Sequence, residues 1–206
     1  PVHDLGDGTV SSDFSELAAR IPERGTVIID GYVGVRFDEF VSSLNEALSA
    51  VGKTALWWSV DSALKSPAEI DKMIEPFLGG DDPLFGYRAS LELKDFFDGD
   101  KLASIKADAS APLNIIYGIG ASLAGWEGTL IYLDIPKNEI QFRSRAGSVR
   151  NLGAAAPDAP KKMYKRFYFI DWVVLNRHKK ALMPEIDIFV DAQRETEITW
   201  AEGDVV

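Results

Sequence analysis

The 206-residue chain contains no cysteine. That excludes a disulfide scaffold, thiolate metal sites, thiol nucleophiles and dithiol redox motifs, and it fits a reducing, cytoplasmic setting. Histidine is nearly absent as well: His3 and His178 are the only two, too few for a nitrogen-rich zinc site, and no metal is expected. No uncharged apolar run reaches ~18 residues, so no membrane-spanning segment is expected. The opening PVHDLGDGTV lacks the basic-then-apolar pattern of a secretory signal. Basic residues are outnumbered, 22 against 32 acids, for a net charge of −10. Such a balance repels a phosphate backbone, so nucleic acid is not an expected partner.

What remains is an ordinary globular composition, 46% apolar and 26% charged, long enough for one large domain with its own core. The charge is uneven. Residues 137–180 carry eleven Lys/Arg against Glu139, Asp158 and Asp171, a net +8 that leaves −18 on the rest. A basic region in an acidic protein points to a small anion or an acidic partner surface, or else to a solvated helix face.

Short apolar runs alternate with helical spacing. TVIIDG (26–31), TALWWSV (54–60), LNIIYGIG (113–120), TLIYLD (129–134) and EIDIFVDA (185–192) read as strands, with EITW (197–200) as a sixth. Phe37, Phe40, Val41, Leu44, Leu48 and Val51 share a helical face. Pro67 and Pro136 open further helices, to Leu78 and Arg145. A short helical patch spans Leu91–Phe97, and a long aromatic-rich helix spans 161–182. Glycine- and proline-bearing 145–160 reads as mobile, and residues 1–14 as a loose arm before one domain, 15–206. This order predicts an α/β fold, a parallel sheet with helices on both faces. Ligands of such sheets bind at the carboxyl ends of the strands. Asp30-Gly31, Asp61-Ser62, Gly118-Ile119-Gly120 and Asp134 converge there.

The turn after the first strand, Gly31-Tyr-Val-Gly-Val-Arg-Phe-Asp38, is where a phosphate loop belongs. It has glycines, but no lysine and no Ser/Thr where the GxxxxGK[ST] motif needs them, although Arg36 offers charge. Gly52-Lys53-Thr54 imitates the end of that motif, yet a strand follows it, so it reads as a turn. GIGAS (118–122) is not GxGxxG, and reads as a tight strand-to-loop turn. Asp61 is a candidate general base or magnesium ligand, or else a helix cap or turn residue. Asp82 and Tyr87 sit in a loop that could meet a sugar or base. Arg143, Arg145 and Arg150 could clamp a phosphate, although Arg143 and Arg145 diverge by about 200° on a regular helix. Lys165, Arg166 and Arg177 flank the aromatics Tyr164, Phe167, Tyr168 and Trp172, a stripe that reads first as core. His178 has no histidine partner, and nothing resembles a Ser-His-Asp relay.

The order of motifs resembles the uridine kinase and phosphoribulokinase group of P-loop kinases. VDS (60–62) is similar to the end of their second strand, where an aspartate acts as base. DDPLFG (81–86) resembles their substrate-side loop, and LIYLDIPKNEIQFRSRAGSV (130–149) their strand, helix and arginine-bearing lid. A closer resemblance is to the kinase-like front region of bacterial class I mannose-6-phosphate isomerase-type proteins, through DDPLFGY, YGIGASL, RSRAGS, YKRFYFIDWVVLNRHK and VDAQ. The cupin-type isomerase region of those proteins has no counterpart in these residues.

The resemblance implies a three-layer sandwich around a mostly parallel five-stranded sheet of the P-loop NTPase, uridine kinase-like class. Its ligand cleft would use Asp61 as catalytic base, with Gly31, Gly34, Arg36, Asp82, Tyr87, Gly118, Gly120, Ser122, Arg143, Arg145, Arg150, Lys165 and Arg166 binding the phosphorylated ligand. Tyr117 stands where the group often has a glutamate, and with the degenerate phosphate loop this removes two parts of the magnesium-triphosphate apparatus. The expectation is a domain that binds a phosphorylated sugar or nucleotide-like ligand, without ATP-dependent transfer and with no cofactor, beside an isomerase-type partner domain. The alternatives are an active phosphotransferase using ATP and magnesium with Arg36 in place of the lysine, and a non-catalytic interaction module.

Overall fold

A computed structural model describes residues 10–82, 84–194 and 196–203. The elements run in this order: β1 (Ser11–Ser12), α1 (Phe14–Arg20), β2 (Gly25–Gly31), α2 (Phe37–Ala50), β3 (Ala55–Ser59), α3 (Pro67–Ile74), α4 (Gly99–Ser104), β4 (Leu113–Tyr117), β5 (Thr129–Asp134), α5 (Lys137–Arg145), α6 (Pro160–Arg166), α7 (Trp172–Leu182), β6 (Ile188–Asp191) and β7 (Thr199–Glu202). Single turns of 3₁₀ helix at Val60–Ala63, Leu93–Phe96 and Ala121–Ala124 link them.

One seven-stranded sheet has the order β1-β7-β6-β5-β2-β4-β3. Five adjacent strands, β6, β5, β2, β4 and β3, are parallel, and β7 and β1 extend the β6 edge antiparallel. This is the expected mostly parallel α/β sheet, with seven strands instead of five. The central strand β2 explains the layering. Successive strand side chains point to opposite faces, and Val27, Ile28 and Ile29 are all buried, so both faces are covered. Leu113–Ile116 and Leu130–Leu133 beside them are equally buried.

The helices follow from local chemistry. In α2, Phe40, Leu44 and Leu48 recur every four residues and are the buried stripe. Ser66 and Glu69 form a reciprocal capping box ahead of Pro67, which starts α3.

Four sequence expectations change. Residues 11–14 are not a loose arm: Ser11 and Ser12 pair with Trp200 and Thr199, and Phe14 opens a helix capped by Asp13. The remainder of the expected arm, 1–9, lies outside the described residues. TALWWSV holds the edge strand rather than a buried one: β3 ends the strand order, Leu56 is exposed and Trp57 and Trp58 are half-buried, their indole N–H groups donating to Asn45 and Asn114. The segment 145–160 is packed where it passes the sheet: Val149, Asn151 and Leu152 are buried. The long helix is two helices joined by a wide π turn at Phe167–Asp171.

Gly52-Lys53-Thr54 is the expected turn, and its lysine has a use. Lys53 Nζ donates to the carbonyls of Ala18, Ala19 and Ile21 at 2.5–3.1 Å, closing the C-terminal end of α1.

Candidate functional site at the carboxyl ends of the strands

The chain passes from β2 through α2 to the edge strand β3, returns beside β2 as β4, then crosses to the other side as β5. Beyond the carboxyl ends of β2, β3 and β4 lies a cleft of about 390 Å³, where an open α/β sheet takes its ligands. Four segments form it: 33–39 after β2, Ser59–Leu64 after β3, Tyr117–Ile119 after β4, and 147–153 from the turn after α5.

The charged groups lining this cleft are Arg36, Asp38, Glu39, Asp61 and Arg150. Arg150 approaches the Asp61 carboxylate at 3.9 Å, and both side chains are half exposed. Burial by the cleft wall raises the Asp61 carboxyl above its ordinary range. Arg150 opposes that shift, and the Asp38 charge adds to it. A half-exposed pair at this separation is loosely held, so Arg150 can turn to an anion in the cleft at little cost.

Magnesium triphosphate does not fit the first turn. Counting from Gly31, Phe37 stands at the lysine position of a phosphate loop and Asp38 at its hydroxyl position. Three amides of the turn are committed internally: Gly31 N–H donates to Asp30, Tyr32 N–H to the Leu133 carbonyl and Val35 N–H to the Tyr32 carbonyl. Tyr32 and Val33 are buried and fill the turn. Gly34, at φ 92°, leaves no room either, since a Cβ there would meet Ile140 and Ile135 at 3.0–3.1 Å. The first turn of α2 already carries Asp38 and Glu39, which occupy the positive end of the helix dipole with the protein's own carboxylates.

Behind this turn lies a polar centre that sequence reasoning missed. Asp30 is fully buried at the end of β2. One carboxylate oxygen accepts the amides of Gly31 at 2.7 Å and Gly120 at 2.8 Å. The other accepts the Ser122 hydroxyl at 2.6 Å and its amide at 3.1 Å, and lies 2.9 Å from His178 Nε2. Burial alone would raise Asp30, but the His178 hydrogen bond and charge, with Ser122 and the Gly120 amide, outweigh it and hold the carboxyl below its ordinary range. Ser, His and Asp thus meet, yet not as a nucleophile relay. Such a relay uses the two ring nitrogens for different partners, whereas here Nε2 alone faces both Asp30 and the Ser122 oxygen, 3.3 Å away. The hydroxyl proton goes to the carboxylate.

The expected site residues therefore divide. Gly34, Arg36, Asp61, Gly118 and Arg150 line the cleft. Gly31 packs behind it against Leu133 and Phe37. Gly120 and Ser122 bind Asp30. Arg143 does not face the cleft: its buried guanidinium is held by the Glu139 carboxylate at 3.0 Å, the Gly34 carbonyl at 2.9 Å and the Gln193 carbonyl at 2.6 Å. Arg166 is likewise turned inward, to Asp71 at 3.1 Å and the Leu152 carbonyl, with Asp171 at 3.6 Å. Arg145 and Lys165 face a separate groove, Lys165 donating to the Asp82 carbonyl. Asp82 accepts the amides of Leu84 and Phe85, and Tyr87 is exposed outside the cleft. The divergence of Arg143 and Arg145 follows from their two-residue spacing on α5. The role of Asp30 was hidden because its partners Gly120, Ser122 and His178 lie 90 and more residues away.

Among the described residues, no group of three or more His, Asp or Glu is arranged to hold a metal ion, and no helix is long and apolar enough to cross a membrane. No curated protein matches the chain significantly. Among solved structures, the chain is similar to a candidate fructose transport system kinase from a Silicibacter species. The two are 18% identical over 65% of this chain and 80% of that one, with a TM-score of 0.42. Neither comparison lends support to the isomerase-type partner. A family model matches residues 13–206, and the chain belongs to that family, described as a domain of unknown function (DUF8485).

Proposed function

We propose that the protein binds a small phosphorylated, hydroxyl-rich ligand, a sugar phosphate, in the strand-end cleft, and that it does so without transferring phosphate from ATP. The supporting observation is the mixture of charges. Arg36 and Arg150 stand with Asp38, Glu39 and Asp61 around about 390 Å³. Three carboxylates against two guanidinium groups disfavour a bare polyanion. The same set suits a ligand whose phosphate meets the arginines and whose hydroxyls donate to the carboxylates. Asp61 accepts such bonds when ionised. Affinity is therefore expected to fall as pH drops through its raised pKa.

The turn at 31–35 speaks against phosphoryl transfer: the Gly31, Tyr32 and Val35 amides are bonded internally, and charge developing on a transferred phosphoryl group would meet Phe37 and Asp38 in place of the lysine and hydroxyl. An isomerase-type neighbour is not part of this reading.

Thermal-shift measurements test it, because a ligand that binds only the folded form raises apparent stability. Hexose phosphates are expected to raise the melting temperature of the wild type and to leave Arg150→Ala and Asp61→Asn unmoved. A shift with inorganic phosphate equal to that with the sugar phosphate, or one retained in both variants, would contradict the reading.

A further inference from the structure

A second concavity lies apart from the strand-end cleft, between the loop bearing Leu84 and Phe85, helix α5, and the α6 to π-turn segment. Its volume is about 580 Å³. Leu84, Phe85, Tyr164 and Tyr168 line it and are 44–71% exposed. Apolar groups of that size grouped on one face are uncommon on a surface that meets only water. They are also held in place. The Asp82 carboxylate fixes the Leu84 and Phe85 amides at 2.8 Å each, and Lys165 ties the Asp82 carbonyl to α6. The Tyr164 and Tyr168 rings stack, and Tyr168 meets Phe169 edge-on at 5.0 Å.

The charge of the groove identifies what it suits. Among the described residues, Arg145, Lys161 and Lys165 line it and no carboxylate does, in a chain whose net charge is −10. Rigid aromatics and an arginine are residue types enriched at protein interfaces, and the two lysines make the margin of the groove positive. Leu84 and Phe85 are too exposed for the groove to enclose a small ligand in the way pockets for small molecules do.

We infer that this groove docks an acidic segment of another protein, with leucine or aromatic side chains seated on Phe85, Tyr164 and Tyr168 and carboxylates facing Arg145, Lys161 and Lys165. Charge complementarity would steer the encounter and the aromatic floor would hold it. The proposal stands apart from the sugar-phosphate cleft, with which the groove shares no lining residue.

Fluorescence anisotropy with a labelled 14-residue peptide of alternating glutamate and leucine or phenylalanine tests it. Two companion peptides carry lysine for glutamate, or serine for the apolar residues. Saturable binding of the acidic-apolar peptide alone is expected, weakening at least tenfold in Phe85→Ser and in Lys161→Glu and further with added salt. Arg150→Ala, in the other cleft, should leave it unchanged. Both groove positions are exposed, so the variants should keep the wild-type melting temperature. Absence of saturable binding, equal binding of a companion peptide, or indifference to both groove substitutions would overturn the proposal. So would a concentration-dependent dimer abolished by Phe85→Ser, which would assign the groove to a second copy of the chain.

Discussion

His178 Nε2 lies 2.9 Å from the buried Oδ2 of Asp30, so that α7 is fastened to the end of the central strand. The contact closes the space directly behind the first turn. Asp30 takes up the Gly31 and Gly120 amides, and the turn is drawn against the protein's own carboxylate instead of being left open to an external anion.

Replacing Asp30 by asparagine should cost about 3 kcal/mol at neutral pH, the scale for removing one partner of a buried pair. The folded carboxyl is depressed. Its contribution is therefore complete above the unfolded pKa and is lost as pH falls through the folded one. Urea denaturation at several pH values checks this: the gap between wild type and Asp30→Asn should narrow as the solution is acidified.

Asp171 carries the opposite sign. Burial raises its carboxyl, with Arg166, Asn151 and the Leu152 amide opposing incompletely. Its ionised form is the strained one, so the wild type loses stability as pH rises through the unfolded and then the folded pKa. The cost of Asp171→Asn should therefore be largest in acid and shrink toward neutral pH, the reverse of the Asp30 variant in the same titration.

Gly34→Ala should destabilise by about 1–3 kcal/mol, since the backbone there has φ 92° and the new methyl would meet Ile140 and Ile135. The same methyl would push α5 outward and loosen Arg143 from the Gly34 carbonyl. Chemical denaturation gives the magnitude, and hydrogen exchange of the α5 amides the location. Unchanged protection there would count against the packed turn.

Lys53→Met keeps the apolar stem and removes the ammonium that caps α1. A loss of about 2 kcal/mol is expected from hydrogen bonds to a charged donor, read by urea denaturation. If Lys53 served a phosphate instead, stability would hold and ligand response would go.

The sheet was legible in the sequence because its strands are continuous apolar runs bounded by glycine and aspartate, and Val27–Ile29 announce a buried parallel strand without help from any partner. The edge strand was not, since tryptophan reads as buried in sequence, whereas Trp57 and Trp58 are only half-buried, their N–H groups donating to Asn45 of α2 and Asn114 of β4. Of the site, the strand-end positions Asp61, Gly118 and Arg36 could be foreseen from topology. Arg143 and Arg166 could not be separated from Arg145 and Arg150 by composition, because only the fold decides which guanidinium faces inward to backbone carbonyls. His178 gave no signal at all: its partner Asp30 stands 148 residues earlier.

Calorimetric titration of the wild type and of Arg150→Ala, with a hexose phosphate and with ATP–magnesium in parallel, tests the central claim most directly. Saturable heat with the hexose phosphate, abolished in the variant, and none with ATP–magnesium is the expected result. Tight binding of ATP–magnesium with release of ADP in the presence of sugar would contradict it.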